Sequence, residues 1–161
     1  MREFTSMLDK GKVVTGVAPA ALTADSVYVS LKNYAKCTVI IAIDNATTVT
    51  GTVIDLNQAT TVAAGSTKAL AFTKMWANID TAASDTLVET AVTANTFTSS
   101  TVNAKNLLYI IEIDATDLDL DNDFDCISVG CASAVNSIGC VLFYLHGSRY
   151  EPSIAQSAIT D

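Results

Sequence analysis

An all-β fold, a single antiparallel β-sandwich of jelly-roll type, is what this sequence predicts, and three observations carry the prediction. The composition leans to sheet. Ala, Thr and Val dominate, charged residues make up 16% of the chain and aromatic residues 7%, and Thr and Val suit a pleated, half-buried surface. Short apolar or alternating runs recur with turn signals about every 8–12 residues, the rhythm of sandwich strands. No stretch keeps a helical period over three turns. A closed barrel answers the same pattern and stands as the alternative. With 161 residues there is room for one domain with a sizeable core, and the expected division is an N-terminal arm over 1–12, a sandwich over 13–150 and a C-terminal tail over 151–161.

The chain is organised around Asn106–Val129, NLLYIIEIDATDLDLDNDFDCISV. Leu107–Ile113 is a near-continuous apolar run, the composition of a sheet-centre strand. Aspartates at 114, 117, 119, 121, 123 and 125 follow, and then a second strand-like run, Cys126–Val129.

Taken in order, residues 1–12 are polar apart from Phe4, Met7 and Leu8, whose spacing allows one helical turn that docks on a neighbour. Val13–Val17 predicts a short strand before Pro19. Asp25–Leu31 alternates, with Val27, Val29 and Leu31 on one face and Tyr28 on the other. Lys32–Tyr34 reads as a bend. Cys37–Asp44 sends Val39, Ile41 and Ile43 one way, and Val49–Gln58 follows closely enough to pair with it as a hairpin or neighbour. Ala64-Gly65-Ser66 marks a turn. Lys68–Trp76 then reads as one alternating strand, and Thr86–Val92 as a short one beyond a loop over Ala77–Asp85. Thr93–Ala104 is a long surface loop anchored by Phe97. After the acidic stretch come Cys126–Cys131, a loop over Ala132–Ile138 and a closing strand, Gly139–His146. The tail, Pro152–Asp161, is too short for a strand and lies on the surface or on a neighbour.

Several function classes are disfavoured. A formal net charge of −8 with scattered basic residues opposes phosphate-directed nucleic-acid binding and repels anionic membranes. The four cysteines, Cys37, Cys126, Cys131 and Cys140, form no C-x-x-C pair and no close cysteine–histidine spacing, so zinc has no ligand set. The first twelve residues lack a signal-peptide core and no run is long enough to span a bilayer. Synthesis in a cytosol with reduced thiols is therefore expected. The Asn45-Ala46-Thr47 sequon is then incidental. Phosphate-binding glycine loops are absent.

Three candidate sites remain on paper. Asp119, Asp121 and Asp123 imitate the opening ligands of an EF-hand. However, Phe124 stands where the loop needs Gly and Gly130 where it needs Glu, leaving only a looser calcium site or, more simply, a solvated turn with Leu118, Leu120 and Phe124 plugging the sandwich edge. His146, the sole histidine, would have to be the base of any Ser-His-Asp or Cys-His site, and no nucleophile elbow accompanies it. A carbohydrate cleft would need facing carboxylates and aromatic platforms, and Trp76 is the one tryptophan. No cofactor is expected. High apolarity with little charge instead implies apolar surface covered by partner subunits.

The series DSVYVSLKNY (25–34), KALAFTKMWAN (68–78), SDTLVET (84–90), NLLYIIEIDATDLDLDNDFDCISV (106–129) and GCVLFYLHGSRY (139–150) resembles virion structural proteins of tailed bacteriophages. The likeness spans about residues 13–150 and rests on a diffuse pattern rather than a catalytic motif. The family pattern carries a glycine near position 123, where this chain has DNDFD, which puts the geometry of that turn in question. What the resemblance implies is a non-enzymatic capsid decoration or cement protein. It would be made in the host cytoplasm and seated on the outer surface of the major capsid protein lattice as a homo-oligomer, a trimer by analogy, bridging major capsid subunits. The expected contact carriers are Phe4, Met7, Leu8, Trp76, Phe97, Ile154 and Ile159. The alternative is a tail, neck or fibre component with a carbohydrate- or receptor-binding sandwich. A small enzyme centred on His146 is a third reading.

Overall fold

The computed structural model describes residues 11–132, 136–149 and 157–160. Their strands are β1 (Gly11–Ala21), β2 (Val29–Ser30), β3 (Tyr34–Asn45), β4 (Val53–Ala59), β5 (Thr67–Ala69), β6 (Lys74–Asn78), β7 (Val88–Ala91), β8 (Thr96–Thr98), β9 (Asn106–Asp114), β10 (Cys126–Ala132) and β11 (Ser137–Ser148). The helix among the described residues amounts to two single 3₁₀ turns, Ala115–Asp117 and Leu120–Asn122, and none is long and apolar enough to cross a membrane.

Every strand pair is antiparallel. One sheet runs β1-β11-β3-β9-β6-β7 and the other β2-β10-β4-β5, with β8 also on β4. β5 takes the Asn57–Ala59 end of β4 and β8 its Val53–Asp55 end. If β5, β6 and β7 are set aside, the remaining strands interleave as β1-β11-β3-β9 and β2-β10-β4-β8. That is the jelly-roll order. The three extra strands are an insertion between β4 and β8; β5 joins the smaller sheet, while β6 and β7 widen the larger one. Among the described residues each sheet ends in edge strands, β1 and β7 in one and β2 and β5 in the other, the arrangement of a sandwich rather than a closed barrel.

The core lies between the sheets. In register, Val141, Ile41, Tyr109 and Ala77 form one inward row across β11, β3, β9 and β6, and Ile54, Leu56, Ile127 and Val129 answer from the facing sheet, all fully buried. Phe143 is fully buried as well. Its ring lies so close to Gly16 that a Cβ there would come within 2.5 Å of it. Gly16 falls where β1 slips register between Thr15 and Val17, so the bulge and the missing side chain together make room for the ring. Pro19, at the second slip, is tolerated because β1 is an edge strand.

Several local expectations are corrected. β3 and β4 do not form a hairpin; they belong to opposite sheets, and the link between them turns through Gly51 at a φ of +70°, a left-handed conformation that suits glycine. Lys68–Trp76 is not one strand. The chain pairs with β4 as β5, crosses through Leu70 and Phe72, both buried, and re-emerges in the other sheet as β6. Of Asp25–Leu31 only Val29 and Ser30 pair as strand, and Val27 is 50% exposed. The cause is Ser26, which turns inward: its N–H donates to the Val129 carbonyl and its Oγ accepts from the Val129 N–H, each at 2.8 Å. The loop expected over 93–104 contains β8. Strand β1 starts at Gly11, two residues inside the expected arm. At the tail, Ala158 is buried and its carbonyl accepts from Ser30 N–H at 2.8 Å, so this part of the tail lies on the chain's own sandwich.

Candidate interaction face

Strands β3, β9 and β11 are apolar at successive positions, not only at alternate ones, as in VIIAI, LLYII and VLFYL. Alternation around the backbone sends every second residue outward, so these strands give the larger sheet two apolar faces. Register aligns the outward residues into a row, Leu142–Ile40–Ile110–Trp76, one from each of four adjacent strands. All four are half-buried. A second outward row, Cys140–Ala42–Leu108, lies beside it and leads into a shallow depression of about 400 Å³ lined by Pro19, Leu108, Ile138 and Cys140, with Ile138 57% exposed.

Charges border this band, two pairs of them matched locally and Asp44 and Glu112 standing exposed outside those pairs. Lys36 pairs with Asp114 at 3.1 Å and Lys74 with Glu89 at 3.6 Å, and the Lys74 ammonium lies 4.9 Å from the centre of the Trp76 ring, a cation–π distance. The outer face of the smaller sheet differs in kind. There Asp55, Asn57, Ser128 and Gly130 hold the outward register positions, Ser128 being buried, and a Cβ on Gly130 would run into the Asp55 carboxylate. One face is apolar and broad; the other is small and polar.

The acidic turn closes one end of the sandwich. Leu118 and Phe124 are buried in it, whereas Leu120 is 44% exposed, so two of the three expected plugs serve. Asp123 adopts φ +62°. This is a left-handed conformation, and aspartate is among the few residues that tolerate it. The three calcium candidates are not brought together. Asp119 Oδ2 is paired with the Lys68 ammonium and accepts from Asn122 Nδ2 at 2.9 Å, while its N–H donates to Gln58 Oε1 at 2.9 Å. Asp121 and Asp123 are exposed. Among the described residues no three carboxylate, thiol or imidazole groups converge as metal ligands. Beside the turn lies a depression of about 370 Å³ edged by Lys32, Thr60, Asp123, Asp125 and Arg149.

Lys68, and after it Asn122, hold the Asp119 carboxyl below the usual carboxylate range. A depressed folded-state value contributes stability that is present above the unfolded pKa of about 3.9 and is lost as pH falls through the folded value. Replacing Lys68 by alanine is therefore expected to lower the thermal midpoint modestly at neutral pH, the pair being exposed. The difference from the parent is expected to close as pH falls below about 4, which leaves the variant with a flatter acid limb. An acid limb unchanged in the variant would show that the pair is inert.

His146 lies on the outer face. Its Nε2 is 3.1 Å from Thr38 Oγ1, and its ring stacks on Tyr144 at 5.0 Å and 17°. Burial raises the Cys37 thiol, and burial with Asp25 and Asp55 nearby pushes Cys131 up to about 11, so both stay protonated and weakly nucleophilic. The sequon asparagine, Asn45, is 1% exposed.

Of the expected contact carriers, Phe4, Met7, Leu8 and Ile154 lie outside the described residues. Trp76 sits in the apolar row. Phe97 is engaged within the sandwich, its ring 5.1 Å from Tyr109 and 6.3 Å from Phe72. Ile159 is 54% exposed next to buried Ala158. Sequence reasoning missed the outward residues Ile40, Leu108, Ile110 and Leu142. The unbroken apolar runs were their signal.

Fold and face together define an all-β jelly-roll sandwich carrying a broad apolar outer sheet. No protein-family model matches the chain, and no curated protein matches it. Among solved structures, the crystal structure of SPBc2 prophage-derived protein YomS is similar at a TM-score of 0.46 and 12% identity, over 84% of this chain and 92% of that one.

Proposed function

We propose that this chain is a non-enzymatic structural protein of a tailed-phage particle, a decoration protein that seats on the outer surface of the major capsid lattice as a homo-oligomer and stabilises the head by burying surface. The sequence resemblance supports the phage setting. The observation that carries the reading as an assembly protein that works as a homo-oligomer is the apolar row Leu142–Ile40–Ile110–Trp76 across the larger sheet. A jelly roll serves many functions, but a half-exposed apolar sheet bordered by two ion pairs is a surface made to be covered. A rigid sheet presents it with little ordering cost, and repeated weak contacts on one lattice add by avidity.

Purified protein mixed with capsids lacking it is expected to co-sediment in many copies per shell and to raise the temperature at which the shells open. Absence from purified particles, or presence in only a few copies at a neck or tail, would overturn the decoration reading; the second outcome would favour the tail or fibre alternative.

A further inference from the structure

We infer that the cover of the apolar face is a second copy of this chain, so that the assembling unit is a face-to-face dimer. The inference rests on the reading of the chain as an assembly protein and names the partner of that same face.

Three features select a second copy. The first is area. The six strands stand about 4.8 Å apart and average about 30 Å in length, β6 and β7 being only about 15 Å, which gives a face of roughly 700 Å², close to the ~800 Å² that each partner contributes to a stable pair. The second is charge. A chain of net charge −8 repels its own copies at most orientations. On this face Lys36 is matched by Asp114 and Lys74 by Glu89, which leaves Asp44 and Glu112 as its exposed acids outside those pairs, so repulsion between two copies here is reduced to those two positions. The third is self-complementarity. The apolar row crosses the middle of the sheet, so a two-fold axis along the strands lays Trp76 of one copy over Leu142 of the other and Ile40 over Ile110. The same operation sets Glu112, which is in register with Thr38, over the other copy's Thr38 and not over its own counterpart. Sheets stacked this way pack about 10 Å apart with strands turned by about 30°. One flat patch meeting itself is an isologous contact and closes at two, whereas the trimer implied by the sequence resemblance needs two different patches.

Trp76 is the only tryptophan of the 161-residue chain and lies in the contact, so the chain carries its own reporter. Sedimentation velocity across about 1–100 µM is expected to show a monomer passing to a dimer, with acrylamide quenching of Trp76 falling over the same range. Ile110→Lys, which places a charge at the centre of the contact, is expected to weaken dimerisation by at least ~30-fold while urea unfolding stays cooperative. A protein that is monomeric throughout, forms a trimer, or dimerises with Trp76 equally quenched overturns the inference. So does an Ile110→Lys variant that dimerises like the parent. If that variant fails to fold, the quenching of the parent protein decides. Capsid binding is scored separately: a dimer that ignores capsids removes the proposed function and leaves the dimer, while a monomer that binds capsids does the reverse.

Discussion

Replacing Phe143 by alanine is expected to cost about 3–5 kcal/mol of folding stability, read as a lowered urea midpoint. The ring is fully buried and is held by a fit that cannot close behind it. Gly16 has no side chain to move into the gap, and the bulge around it is pinned where Val27 N–H donates to the Gly16 carbonyl at 3.2 Å. The cavity term should therefore be near the upper end of its range. Phe143→Leu, which keeps most of the volume, is expected to cost clearly less. Equal costs for the two variants would mean that β1 collapses onto the hole, contrary to this account. Since domains of this size are stable by only about 5–15 kcal/mol, the alanine variant approaches the limit of folding.

Replacing Asn45 by alanine is the second large effect, at about 2–4 kcal/mol. Asn45 ends β3. Its Nδ2 donates to the carbonyls of Ser100 and Val102 at 2.9 and 3.0 Å, and its Oδ1 accepts from Ser137 Oγ at 2.9 Å. One amide thus ties the 99–105 loop to the start of β11. Three bonds at about 1 kcal/mol each set the scale, and stranded partners add to it wherever water cannot reach them. Asn45→Asp is expected to be at least as damaging, because a carboxylate cannot donate to the two carbonyls. An alanine variant within experimental error of the parent would show that water replaces the amide freely.

The legible parts of the fold were the strands whose side-chain period survives to the end. β9, β10 and β11 lie close to their expected bounds because their inward residues never break step. The errors fall where tertiary contacts decide. Nothing in KALAFTKMW signals that the chain leaves one sheet and enters the other, since Leu70 and Phe72 are apolar in either case. Ser26 displaced Val27 from the interior because a neighbouring strand had a backbone pair to offer. β8 hid in a polar stretch because Thr96 and Thr98 face outward and Phe97 alone carries the packing. The acidic turn drew attention through its aspartates, yet Lys68, distant in sequence, occupies Asp119. The candidate face was written in the chain, and reading its runs only as burial concealed that a strand in the larger sheet has two sides to account for.

The position of β11 between β1 and β3 governs how the molecule comes into being. Residues 11–21 and 34–45 emerge from the ribosome long before residues 137–148, the segment that must slot between them. Until translation reaches it, the nascent chain holds two long apolar strands without their mutual neighbour. The larger sheet therefore closes late, and folding is slow because it depends on distant segments meeting. In that interval the same sticky strands are open to unwanted pairing with other unfinished chains, which makes crowded, high-level synthesis the moment of greatest hazard for this protein.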